Sequence, residues 1–165
     1  MAPHPKATDL PALLAKLCDA GVAFIIVGGA ACVIQGAPIT TNDLDIVHSR
    51  TPENIERLLD LLLQLDATMR HDFANRGLRP TAELLAGKGH LNLSTSLGPI
   101  DPLCELDGLG YDELLPCAID REGRSLLLHA TLDWRIHASF LATAAPVLRP
   151  RRARPCRPCA REPLQ

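Results

Sequence analysis

Two aspartates two positions apart, Asp43 and Asp45, are the residues of this chain best suited to chemistry. They alternate with Leu44, Ile46 and Val47, and a short apolar run with β-branched residues reads as a buried strand. Side chains two apart on a strand share a face, so both carboxylates project together while Leu44 and Ile46 face a core. Crowded carboxylates repel and raise each other's pKa. A divalent cation between them relieves this, and hard carboxylate oxygens suit Mg²⁺. Upstream, Gly28 and Gly29 end the apolar run Phe24 to Val27. Having no Cβ, they let a phosphate approach the backbone closely. The N-terminus of a following short helix offers free N–H groups to the same anion. Thr40, Thr41 and Asn42 make a polar loop before the acids, where loop hydrogen bonding is their ordinary role. Thr41, two before Asp43, is the one placed to hold phosphate or orient a carboxylate. Together these parts describe a site for a metal-bound nucleoside triphosphate.

Taken singly, a Gly pair is a turn and an Asp-x-Asp is a solvated strand end. Their combination is more specific. A strand, Gly28-Gly29, a short helix, a loop broken by Gly36 and Pro38, and then Asp43-Leu44-Asp45-Ile46 resembles the polymerase-β-like nucleotidyltransferase superfamily. That family also carries a third acid on a neighbouring strand, and Gly98-Pro99-Ile100-Asp101-Pro102-Leu103 looks like that segment. Alone, Asp101 reads as a structural acid in an apolar strand. The run from Gly87 to Asp101, with Gly110 to Pro116 after it, is similar to a subgroup of small bacterial nucleotidyltransferase-like proteins. That subgroup is grouped broadly with abortive-infection and toxin–antitoxin enzymes. The resemblance spans roughly residues 10 to 130.

The resemblance implies an α/β (α+β) fold, a small mixed β-sheet with packed helices, the Gly turn and three acids gathering at one sheet end. It implies Asp43, Asp45 and Asp101 as catalytic and Mg²⁺-binding residues, and Gly28, Gly29 and Thr41 as nucleotide-binding ones. The activity implied is transfer of a nucleoside monophosphate from a nucleoside triphosphate to an acceptor hydroxyl, on tRNA, another RNA or a protein, with an antitoxin as a further partner. Departures at Ile39 and at the C-terminus favour the alternative, a catalytically degenerate fold acting as a binding or regulatory module. Many relatives carry an Arg just after the Gly-x-Pro of the loop, where this chain has Ile39, and no Lys follows Lys88. From about His129 the chain is unlike the family. A frameshift near the end of the gene is one hypothesis, and a neighbouring frame encoding no helix there would refute it.

The elements that must position these residues are legible in part. Residues 8 to 20 read as a helix capped by Thr8 or Asp9, with Leu10, Leu13, Leu14 and Leu17 on one face and Gly21 at its end. Thr51-Pro52-Glu53 starts a helix running to about Leu65, with a buried stripe of Ile55, Leu58, Leu59, Leu62 and Leu63. Residues 66 to 89 are mixed and polar, with a short helix near Thr81 to Leu85. A phosphate-contacting basic residue could come from Arg70, Arg76, Arg79 or Lys88, but the pattern reads as a solvated face. His90 to Thr95 alternates as a half-buried strand, and Ile100 to Leu103 is a short strand that Pro102 places at an edge or bulge. Tyr111 to Leu115 makes a helical turn, Ala118 to Leu128 a hairpin around Glu122-Gly123, and Thr131 to Ala144 a last helix.

Composition bounds the partners. At 165 residues and 47% apolar content the chain can build one cored domain, expected over residues 1 to 145. Residues 146 to 165 carry six Arg and several Pro without apolar periodicity and read as a disordered basic tail. Five aromatic residues are too few for a base-stacking platform, and a net charge of −2 gives no global attraction to nucleic acid. No apolar run of about 18 residues predicts a membrane span, and the first residues lack a basic-then-apolar signal. A cytoplasmic protein with free thiols is expected. Cys156-x-x-Cys159 without a second pair is weak evidence for zinc.

Overall fold

A computed structural model describes residues 8–72, 76–120 and 126–128. In chain order the elements are α1 (Leu10–Asp19), β1 (Phe24–Val27), α2 (Gly28–Ile34), β2 (Leu44–His48), α3 (Pro52–Gln64) and β3 (Thr68–Met69). They continue with α4 (Ala82–Ala86), β4 (Leu93–Thr95), β5 (Gly98–Leu103), α5 (Tyr111–Leu114), β6 (Ile119–Asp120) and β7 (Leu126–Leu128). The strands form one mixed sheet in the order β3-β4-β5-β2-β1-β7-β6. β1 runs antiparallel to β2, and β2 runs parallel to β5. The expected class, a small mixed sheet carrying helices, is therefore the one adopted.

Strand alternation divides the apolar residues between two faces. Phe24 and Ile26 of β1, Leu44 and Ile46 of β2, Leu93 of β4 and Ile100 of β5 pack with Leu13 and Leu17 of α1 and Leu58 and Leu62 of α3. On the opposite face Ile25, Val27 and Val47 pack with Leu114 of α5. All four residues of β1 are buried, so its unbroken Phe-Ile-Ile-Val run is what a strand covered on both faces requires. Asp9 caps α1 by accepting from the Ala12 amide at 3.1 Å, and Gly21, at φ +65°, ends that segment.

Several expectations need correction. In α3 the buried stripe includes Leu61, while Leu59 is only partly buried and Leu63 is exposed. Asn54 in the same helix is also buried, and holds the chain before β1. Its Oδ1 accepts from the Ala23 amide at 2.6 Å, and its Nδ2 donates to the carbonyls of Ala23 and Ser49 at 3.1 and 2.8 Å. A two-residue strand, β3, lies in the stretch read as polar and mixed, and β4 starts at Leu93 rather than His90. Pro102 lies in an interior strand, between β4 and β2, rather than at an edge. Its carbonyl accepts from Leu91 N at 3.0 Å, on the flank where the regular β4 ladder has given way. The missing N–H points to that same flank, so the Leu91–Pro102 pair makes one backbone bond where a non-proline residue could make two.

The tip of the 118–128 hairpin, the helix expected over Thr131 to Ala144, the tail 146–165 and the Cys156/Cys159 pair lie outside the described residues. Among the described residues no helix is long and apolar enough to cross a membrane.

Candidate functional site

The sheet brings the three acids together. Asp45 on β2 and Asp101 on β5 are register partners on adjacent parallel strands. Leu44 and Ile46 beside Asp45, and Ile100 beside Asp101, point into the main core, so both carboxylates emerge on the opposite face. Asp43 lies one residue before β2, not within it, yet remains in the cluster, because Arg70 reaches both Asp43 and Asp101. The Val27 end of β1 pairs with Asp45, which sets the Gly turn against the acids.

Gly28 and Gly29 are the first residues of α2, immediately after β1. Gly28 has φ +64°, a left-handed conformation that L side chains rarely adopt, and a Cβ there would overlap Oδ2 of Asp45. The missing side chain is thus what admits the Asp45 carboxylate. A Cβ on Gly29 would come within 3.0 Å of Oγ1 of Thr41. Thr41 in turn donates to the Asp43 carbonyl at 3.0 Å and lies 3.4 Å from Asp43 Oδ1. Thr41 therefore orients Asp43, and the six residues expected from the sequence, Gly28, Gly29, Thr41, Asp43, Asp45 and Asp101, form one cluster. A contact from before α1 braces it: Thr8 Oγ1 donates to the Asn42 carbonyl at 2.7 Å and to that of Pro99 at 3.1 Å. It thereby ties the loop before Asp43 to the start of β5.

One residue at the acids, Arg70, departs from the solvated face read for its segment. Arg70, immediately after β3, reaches over β4 and places Nη2 against both carboxylate oxygens of Asp101. Its Nη1 lies 3.7 Å from Oδ2 of Asp43. Asn92 steadies the approach: its carbonyl accepts from the Arg70 amide at 2.8 Å, and its Oδ1 from Nη2 at 3.3 Å. Met69, the preceding residue, packs on the main core, so alternation turns Arg70 to the acid-bearing face. The other basic residues of that segment fit the solvated reading. Arg76 and Arg79 are largely exposed and pair with Asp72 and Asp66.

Electrostatics at the cluster are strained. Burial, followed by the charges of Asp43 and Asp101, pushes Asp45 up to about 6, with Arg70 acting in the opposite sense. Burial also raises Asp101, and the Arg70 guanidinium opposes that rise. Three carboxylates facing one guanidinium leave two uncompensated negative charges when all are ionised. This all-oxygen donor set fits a hard divalent cation in chemistry. Its present arrangement does not: among the described residues, no three carboxylate, imidazole or thiolate groups converge as a metal-binding set. Arg70 occupies the approach to Asp101 and Asp43.

The sequence matches no protein-family model and no curated protein. The functional reading therefore rests on the cluster and on the pattern of residues that builds it.

Proposed function

We propose that this chain is a nucleotidyltransferase-like protein that transfers a nucleoside monophosphate from a nucleoside triphosphate to an acceptor hydroxyl, on RNA or protein, in a Mg²⁺-dependent reaction. The observation that carries the proposal is the register pairing of Asp45 with Asp101, with Asp43 beside them and the Gly28-Gly29 turn against the acids. Asp43, Asp45 and Asp101 would hold the metal, which when bound supplies charge neutralisation at the transferring phosphate and at the leaving pyrophosphate. Gly28 and Gly29 would place the triphosphate, with the carboxylate of Asp45 and the hydroxyl of Thr41 set against them. Thr41 keeps Asp43 oriented through the bond to its carbonyl. Asp101 would complete the metal site and help deprotonate the attacking hydroxyl once its pairing with Arg70 is relieved.

A specific observation favours a second reading. Arg70 already pairs with Asp101 and approaches Asp43. If that pairing is permanent, the fold binds a partner, such as an antitoxin, without turning nucleotide over. Incubation with α-³²P-labelled nucleoside triphosphates, Mg²⁺ and a cell extract separates the two. Label transferred to RNA or protein by the wild type and not by Asp43→Asn supports the enzyme. Absence of transfer with every nucleotide, despite measurable nucleotide binding, supports the binding module.

A further inference from the structure

We infer that Arg70 is a latch on the carboxylate cluster: its guanidinium holds Asp101 and Asp43 in the cation-free protein and competes with a divalent cation for those oxygens. The inference rests on the metal-dependent reading of the site and adds to it a residue that gates the metal.

Four observations carry it. First, the side chain crosses β4 to reach Asp101, and both oxygens of that carboxylate face Nη2. One charged amino group set against both oxygens takes lone pairs that a cation would need. Second, the same guanidinium approaches Asp43, so one side chain engages two of the three acids. Third, the pairing is incomplete as a structural ion pair. Arg70 Nε is buried without a hydrogen-bond partner, and two negative charges stay uncompensated when all three acids are ionised. A buried pair with an unsatisfied donor is poorly optimised for stability alone. Fourth, Arg70 is a quarter exposed, so the head can withdraw toward solvent by giving up its bond to Asn92 Oδ1, while its amide stays bonded to the Asn92 carbonyl.

The consequence is a competition. A divalent cation carries twice the charge of the guanidinium and is not tethered to β3. Occupation of Asp43, Asp45 and Asp101 by the cation releases the Arg70 head. Reciprocity requires that removing Arg70 strengthens cation binding by the factor with which the cation weakens the Arg70 contact.

The test is direct Mn²⁺ binding, followed by electron paramagnetic resonance of free Mn²⁺, to wild type, Arg70→Ala and Arg70→Lys. The latch predicts that Arg70→Ala binds Mn²⁺ roughly 10- to 100-fold more tightly than wild type, within the usual range of such couplings. Arg70→Lys, which keeps the charge but loses the fork, gains less. A second measurement uses only the wild type: with ¹⁵N-labelled arginine, the Arg70 guanidinium signal should shift and sharpen toward that of a freely rotating side chain as Mg²⁺ saturates. It keeps the inference open to refutation if Arg70→Ala does not fold. Equal or weaker Mn²⁺ binding by Arg70→Ala, or an Arg70 signal unmoved at Mg²⁺ saturation, overturns the latch while leaving the metal site standing. No Mn²⁺ binding by any of the three proteins at millimolar concentration overturns the latch and the metal-dependent reading together.

Discussion

Asp45→Asn should make the cation-free protein more stable at neutral pH, although it removes a residue assigned to the active site. The Asp45 carboxyl is raised from 3.8 to about 6, first by burial and then by Asp43 and Asp101. A carboxyl raised from 3.8 to about 6 corresponds to roughly 3 kcal/mol. The site is partly open to solvent, and screening reduces this to about 1–2 kcal/mol. The sign follows from proton uptake. Between about 3.8 and 6 the folded state binds more protons at this site than the unfolded chain. The site's contribution to stability therefore falls as pH rises through that window, and the penalty is complete above it. Asparagine keeps the shape and removes the charge. Urea unfolding in EDTA at pH 7.5 should show Asp45→Asn more stable than wild type by about 1–2 kcal/mol, with the difference disappearing near pH 4. A variant less stable than wild type at pH 7.5, or a difference independent of pH, would refute the reasoning that these acids are held together against their repulsion.

Four further perturbations test the framework. Gly28→Ala and Gly21→Ala share nearly the same φ, +64° and +65°, but only at Gly28 does the new Cβ meet Asp45. Both should lose about 1–2 kcal/mol to backbone strain, and chemical denaturation should show the larger loss at Gly28; equal losses would mean that Asp45 moves aside freely. Asn54→Ala takes from the Ala23 N–H and the Ser49 carbonyl their Asn54 partner, while the Ala23 carbonyl keeps its bond from the Ser49 amide, and should cost about 1–3 kcal/mol in the same assay. Leu62→Ala should cost about 2–5 kcal/mol, and Leu59→Ala clearly less because Leu59 is only partly buried; equal costs would place α3 in a different rotation. His48 is buried, with Nε2 facing the Leu85 carbonyl at 3.1 Å, and burial lowers its pKa below the ordinary 6.5. Its contribution is complete above that value and is lost as pH falls from 6.5 toward the folded-state value; an NMR titration midpoint for His48 at or above 6.5 would contradict this.

The parts of the site legible in the sequence were those written in strand periodicity and in glycine. Asp43-Leu44-Asp45-Ile46 alternates, so its acids and its core residues separate on inspection. Gly28-Gly29 closes an apolar run that could only be a buried strand. Asp101 became legible through the resemblance, because one acid in an apolar segment has no pattern of its own. Arg70 stayed hidden for a physical reason. The strand that aims it, β3, is two residues long, too short to show a period, and its partner Asp101 is 31 positions away. Asn54 was hidden differently: a polar residue in a first helical turn looks like ordinary helix-start chemistry, and nothing local reveals that it clamps the backbone at Ala23. Pro102 misled, since proline usually marks an edge, whereas here an interior strand gives up one bond to Leu91 beyond the end of β4, which is a fact of tertiary pairing.

The central claim is that Asp43, Asp45 and Asp101 form a site for a metal-bound nucleoside triphosphate, and thermal unfolding of wild type and Asp43→Asn with and without millimolar Mg²⁺-ATP tests it most directly. Ligand at a hundred times its Kd adds about 2.7 kcal/mol, and each kcal/mol moves the midpoint by roughly 2–8 °C. Wild type should therefore melt several degrees higher with Mg²⁺-ATP, but not with ATP in EDTA, and Asp43→Asn should be insensitive to both. A wild-type midpoint indifferent to Mg²⁺-ATP, together with an Asp43→Asn protein less stable than wild type, would contradict the account and make the acids structural.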